Sequence, residues 1–339
     1  MHSLSDRQQY AALVLAMAAP IAFWLPSLPY LSVAAAALFG MAFFLLLERL
    51  RRKNALPYGT LCLRVCGEGW GRLLLAVSAL WLLLAAGRTA EACERIYDGA
   101  RAVPMISLLT WAAAVWAAGQ GERALLRALC VAFLFCTAIF AAVLVFSLPD
   151  LTLRFLRPRF SWRGLGAALP SFLLASLLVY FPQGARRHSP LGWSVAVVAF
   201  AVLASAVTAG SISPEVAASD AFPFGVMTKS LSLFGVMERF EAVVSAAVNA
   251  AYFALLALFA AAVRRLVLTM APACPPKAVQ WGQFFTGGAL VLAGNWLPQT
   301  VYLLGAAIFW GILPLVLLSV GKEKNGAKSE KILDKRENI

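Results

Sequence analysis

Ten apolar stretches dominate this sequence, at residues 9–26, 30–47, 73–90, 103–118, 125–148, 165–181, 191–211, 242–263, 281–297 and 301–320. Crossing the hydrocarbon of a bilayer takes roughly 20 apolar residues as a helix, because a lipid-exposed backbone must satisfy its own hydrogen bonds. None of the ten alternates with the two-residue period of a barrel strand. The sequence therefore predicts an all-α integral membrane protein with ten transmembrane helices. Composition agrees. Of the residues, 61% are hydrophobic and 13% charged, half the ~25% charged residues of a typical soluble domain. An ordinary cytosolic enzyme, a disordered chain and a disulfide scaffold are excluded.

The first stretch has a weakly basic start at His2 and Arg7, but a second follows at once through a loop holding Pro26 and Pro29. An uncleaved first helix is expected rather than a secretory signal. With the amino terminus placed inside, twenty of the 29 Lys and Arg residues fall on the inner side, which predicts that both termini are cytoplasmic. Arg154, Arg157, Arg159 and Arg163 run against that bias. The net charge of +13 is spread over short loops without a nucleic-acid recognition pattern. Membrane lipid is the expected partner, and nucleic acid is not. The membrane domain would occupy residues 1–320, and the polar, mixed-charge segment 321–339 reads as a disordered cytoplasmic tail.

Chemistry of the catalytic kind is hard to place. The histidines are His2 and His188, and neither accompanies a nucleophile signature, a phosphate-binding glycine loop or paired carboxylates within a span. Cys130 and Cys136 fall inside a span as small core residues. Cys62 and Cys66 sit one helical turn apart, yet a zinc site needs two further ligands that the sequence does not offer. No enzyme activity, cofactor or metal is expected. The acids Glu91, Glu94, Asp98, Glu215, Asp220, Glu238 and Glu241 gather at span ends, where snorkelling or loop solvation accounts for most of them.

Ligand-binding membrane proteins often use discontinuous helices, whose freed backbone groups meet the ligand near the midplane. Met17-Ala18-Ala19-Pro20 puts a proline inside the first span. Pro170 lies in the sixth, and Tyr180-Phe181-Pro182 interrupts its far end. If the chain comprises two five-helix repeats, about 8–148 and 165–320, these spans correspond, and the odd repeat length forces inverted topology. Backbone carbonyls beside Pro20 would then meet an ammonium, with Tyr180 and Phe181 walling the ligand. In the eighth span Ser245, Asn249 and Tyr252 share one helical face, where they either contact a ligand or bond between helices. Before that span, Met227, Leu231 and Phe234 suggest a short amphipathic helix over the outer face. Glu238, Arg239 and Glu241, at the mouth of span eight, are candidate partner contacts.

Several short motifs follow one another along the chain. They are Leu4-Ser5-Asp6-Arg7-Gln8, Leu25-Pro26, Leu56-Pro57-Tyr58-Gly59-Thr60-Leu61, Gly67-Glu68-Gly69-Trp70-Gly71-Arg72, Val103-Pro104, and the run from Gly121 to Arg127. The block from Phe222-Pro223-Phe224 to Glu238-Arg239-Phe240-Glu241 completes the set. In these features the chain resembles the B subunit of spore germinant receptors, a branch of the amino acid–polyamine–organocation transporter superfamily. The resemblance implies ten helices in an inverted five-plus-five arrangement, with a ligand held between spans one, three, six and eight. It further implies a complex with an A subunit and a lipoprotein C subunit in the inner membrane of a spore. That complex senses a small nutrient, typically an amino acid, and starts germination. An amino-acid permease of the same fold is the alternative.

Overall fold

The first helix starts where the sequence offers a cap: the Ser5 hydroxyl accepts the Arg7 N–H at 3.3 Å, and Asp6 places negative charge in the first turn. The computed structural model describes residues 5–54, 56–96, 104–156, 158–183, 188–220, 222–229, 240–293 and 298–321. These residues form helices and connecting turns with no β-strand element. In chain order the helices are α1 (Asp6–Phe23), α2 (Tyr30–Lys53), α3 (Tyr58–Cys66), α4 (Glu68–Arg95) and α5 (Met105–Gly119). There follow α6 (Glu122–Phe146), α7 (Trp162–Leu173), α8 (Leu191–Ile212), α9 (Pro214–Ser219) and α10 (Pro223–Lys229). The last three are α11 (Phe240–Met270), α12 (Pro276–Leu292) and α13, which runs from Gln299 through a π-helical turn at Ala307–Ile312 to Gly321.

Each of the ten apolar stretches contains a helix among the described residues. Among the described residues, eight helices are long and apolar enough to cross a membrane. Helix α5 has 15 residues and α12 has 17, so both are short for a single crossing. Helices α1 and α11 form the middle of the bundle. Of their apolar windows 83% and 78% is buried, against 28% for α6. Helix α11 packs on α1, α4, α5 and α6, while α2 packs on α7 and α8. Small residues permit these approaches. A Cβ on Gly40 would collide with the Phe172 side chain where α2 crosses α7.

The described chain begins and finishes at one end of the bundle. Asp6 lies 3.7 Å from Arg51, and the Asn54 side chain donates to the Leu318 carbonyl at 2.8 Å.

Two differences from the sequence reading concern the prolines. Helix α1 runs unbroken through Pro20, whose carbonyl accepts the Trp24 N–H at 3.2 Å. Its chain tightens only beyond, in a 3-10 turn at Leu25–Ser27. Helix α7 contains Pro170 and gives way to a 3-10 helix at Leu174–Tyr180. That change therefore begins a turn after the proline, well before Tyr180. A proline lacks the N–H for one helical bond and crowds the carbonyl four residues back, which favours tighter winding nearby. Helix α3, from the Tyr58 motif to Cys66, was not among the expected elements. The α10-to-α11 connection, residues 230–239, with Leu231 and Phe234 of the expected amphipathic helix, lies outside the described residues, as does all but Gly321 of the segment 321–339 read as a tail.

Candidate functional site

A cavity of about 310 Å³ opens at the end of the bundle opposite Asp6 and Leu318. Its walls come from α1, α4, α7, α11 and α13, the first, third, sixth, eighth and tenth apolar stretches. Pro20, Phe23, Tyr252 and Leu255 form an apolar wall with Pro170 and Leu174. The Phe23 ring sets an edge against Tyr252 at 5.7 Å and stacks on Phe222 at 5.4 Å, which fixes that wall.

The rim carries charge of both signs. Arg88, Glu91 and Arg95 follow one another along α4, and Asp220 and Gln299 join them. Arg88 bonds the Gln299 side chain and lies 4.9 Å from the Tyr302 ring centroid. Glu91 and Arg95 pair one helical turn apart. Glu94, on the same helix, turns away from the cavity to cap α5. Its carboxylate accepts the N–H groups of Ile106 and Ser107 at 2.6 and 3.1 Å. Pro104 cannot supply a capping side chain, so Glu94 answers donors that α5 leaves open.

The opposite end is closed by buried charge. Glu48 pairs with Arg51 and Arg52, each at 2.8 Å, and accepts the Tyr10 hydroxyl at 2.8 Å. Asp6 lies 3.7 Å from both guanidiniums. Arg51 also donates to the Gln9 side chain at 3.1 Å and to the Leu178 carbonyl at 2.9 Å. From the other side of the sequence, Arg265 bonds the Tyr180 carbonyl at 2.9 Å and pairs with Glu122. Two carboxylates thus balance Arg51 and Arg52 while tying α1, α2 and the end of α7 together. Such a network is stable only when every member is answered.

No family model matches the chain, and no curated protein matches it either. The site is accordingly read from geometry and from the residues themselves.

Of the residues singled out in the sequence, Pro20 and Tyr252 line the cavity. Ala18 and Ala19 are buried within α1, and Met17 borders a separate crevice of about 20 Å³ between α1, α2, α7 and α8. Tyr180 stands at the closed end with its ring 4.9 Å from Tyr58, and Phe181 is buried nearby. Ser245 is buried, and the Asn249 side-chain oxygen is buried without a hydrogen-bond partner among the described residues. Glu241 pairs with Lys229 at 3.5 Å. Glu238 and Arg239 lie outside the described residues. The six cysteines are free, and the described residues hold no cluster able to bind a metal.

Arg88, Glu91, Arg95, Gln299 and Tyr302 escaped the sequence reading as site residues. The available signal was the i, i+4 pairing of Glu91 and Arg95 at a span end, which solvation explains equally well in one dimension.

Proposed function

We propose that this chain is the membrane subunit of a spore nutrient-germinant receptor, which binds a small nutrient, an amino acid, and triggers germination. The observation that carries the reading is the mixed-charge cavity with an apolar wall at the open end, backed by a sealed opposite end. At about 310 Å³ it sits at the low end of the ~300–1,000 Å³ typical of small-ligand sites. An amino-acid zwitterion loses water on entry and needs partners for both charges. Arg88 and Arg95 suit the carboxylate, Glu91 and Asp220 suit the ammonium, and Phe23 and Tyr252 suit an apolar side chain.

In this reading ten helices cross the spore inner membrane as two inverted repeats, with both termini cytoplasmic. The proline-bearing first and sixth spans, each passing into 3-10 winding, support that pairing. The A and C subunits bind from the membrane faces, and the chain carries out no catalysis. The purified complex should bind an amino acid without moving it. Equilibrium binding set beside uptake into proteoliposomes tests this: binding without uptake supports the sensor, uptake identifies a permease, and absence of both removes the reading.

A further inference from the structure

The connection between α6 and α7 is a strap held down by its main chain. The Ser32 hydroxyl donates to the Ser161 carbonyl at 3.0 Å and accepts the Ser161 N–H at 2.8 Å. Tyr30 donates its hydroxyl to the Leu156 carbonyl at 3.3 Å, and the Thr152 N–H donates to the Gly210 carbonyl at 2.9 Å. With its backbone fixed on α2 and α8, the strap sends its large side chains outward. Leu153 and Trp162 are each 78% exposed, and Phe160 packs its ring 5.0 Å from that of Trp162 while remaining 47% exposed.

Basic groups share this surface. Arg154 and Arg163 are exposed and have no ion-pair partner among the described residues. Arg159 pairs with Glu215 at 2.9 Å yet stays 53% exposed. Asp150 is the acid within the strap itself. The strap joins the end of one membrane-length helix to the start of another, which sets it at the depth of the headgroups. Exposed Phe146 and Leu148 continue the apolar surface below it.

We propose that this strap binds the phosphates of anionic phospholipids at the open end of the bundle. Aromatic rings favour the interface, and a guanidinium matches a phosphate in two parallel hydrogen bonds. Arg154 and Arg163, which oppose the charge bias of the chain, thereby gain a partner. An acidic protein would leave Leu153 and Trp162 without an apolar environment, whereas a bilayer supplies one. The inference goes beyond nutrient binding and needs only that the chain lie in a membrane.

The full chain, purified in detergent, can be titrated with phosphatidylglycerol and with phosphatidylcholine while native mass spectrometry reads retained lipid. The R154Q/R159Q/R163Q variant should bind phosphatidylglycerol ~10-fold or more weakly, given the gain per basic residue near an anionic surface. Phosphatidylcholine retention should hardly change. A variant with equal charge loss at the closed end, R49Q/R123Q/R127Q, should retain phosphatidylglycerol better than the strap variant. The R154K/R159K/R163K variant keeps the charge and should restore most of the binding, which separates lost contacts from lost folding. Equal losses in the strap and closed-end variants, or no loss in the strap variant, would overturn the proposal. So would unchanged lipid binding combined with loss of an acidic protein partner.

Discussion

Arg51 and Arg265 each donate at 2.9 Å to a carbonyl in the last residues of the 3-10 helix after α7, Arg51 to Leu178 and Arg265 to Tyr180. They come from α2 and α11, more than two hundred residues apart in sequence. The last carbonyls of a helix lack partners within it, and the negative end of its dipole favours cations. Both guanidiniums also hold carboxylates, Glu48 and Glu122. The end of the sixth apolar stretch is thus fixed from two directions, and any opening of this end must release both.

Arg51→Leu should be much more damaging than Arg52→Leu. Arg51 is 5% exposed at its side chain and Arg52 27%. Removing Arg51 leaves Glu48 and the Leu178 carbonyl short of a partner inside the bundle, a loss of about 3–5 kcal/mol. Arg52 is wetter, and its loss should cost about 1 kcal/mol. Thermal unfolding of the detergent-purified variants measures the difference. Equal melting temperatures would mean that the network contributes little to the closed state.

Arg88→Gln should weaken amino-acid binding. In the proposed site its guanidinium meets the ligand carboxylate, and a hydrogen bond to a charged group contributes about 1.5–3 kcal/mol, or roughly 10- to 100-fold in affinity. Tyr302 loses its cationic neighbour as well, so Arg88→Lys serves as the comparison: it keeps charge and should recover part of the affinity. Calorimetric titration of the purified complex with a panel of amino acids reads the effect. Unchanged affinity in Arg88→Gln would place the carboxylate elsewhere.

The helices were legible because length and apolarity are one-dimensional properties, and each apolar stretch contains a helix among the described residues. The closed end was not legible for the opposite reason. Asp6, Glu48, Arg51 and Arg52 lie at span ends, where the positive-inside bias and solvation absorb charged residues without any pairing. Tyr10 meets Arg52 at 3.0 Å across 42 residues of chain, and only the folded bundle reveals that. Pro20 shows a related limit. Proline announces a weak point in the ladder, but neighbours decide whether the helix bends, tightens or continues, and α1 continues under dense packing. Ser245, Asn249 and Tyr252 all lie on α11, yet only Tyr252 of the three reaches the cavity.

Asn249→Leu should leave ligand affinity unchanged and stability equal or higher. The Asn249 side-chain oxygen is buried with no hydrogen-bond partner among the described residues and lies off the cavity wall. An unanswered buried acceptor costs about 1–3 kcal/mol, and leucine fills a similar volume without it. Melting temperature and ligand titration on the same preparation separate the possibilities. A fall in affinity at constant stability would show that the amide serves the ligand after all.

Labelling of cysteines can fix which end faces the cytoplasm. Cys274 lies in the turn between α11 and α12 and is half-buried. It stands at the closed end, because α11 runs from the open end to Arg265, which bonds Tyr180 there. Asp150 is exposed in the strap at the open end. In a background with the other cysteines replaced by serine or alanine, a membrane-impermeant maleimide applied to intact cells should label Asp150→Cys and spare Cys274. Permeabilised cells should label both. The expectation follows from the excess of Lys and Arg at the closed-end loops, since basic loops are retained in the cytoplasm. Labelling of Cys274 in intact cells, with Asp150→Cys protected, would invert the orientation and put the cavity on the cytoplasmic side, which the proposed receptor for external nutrients does not allow.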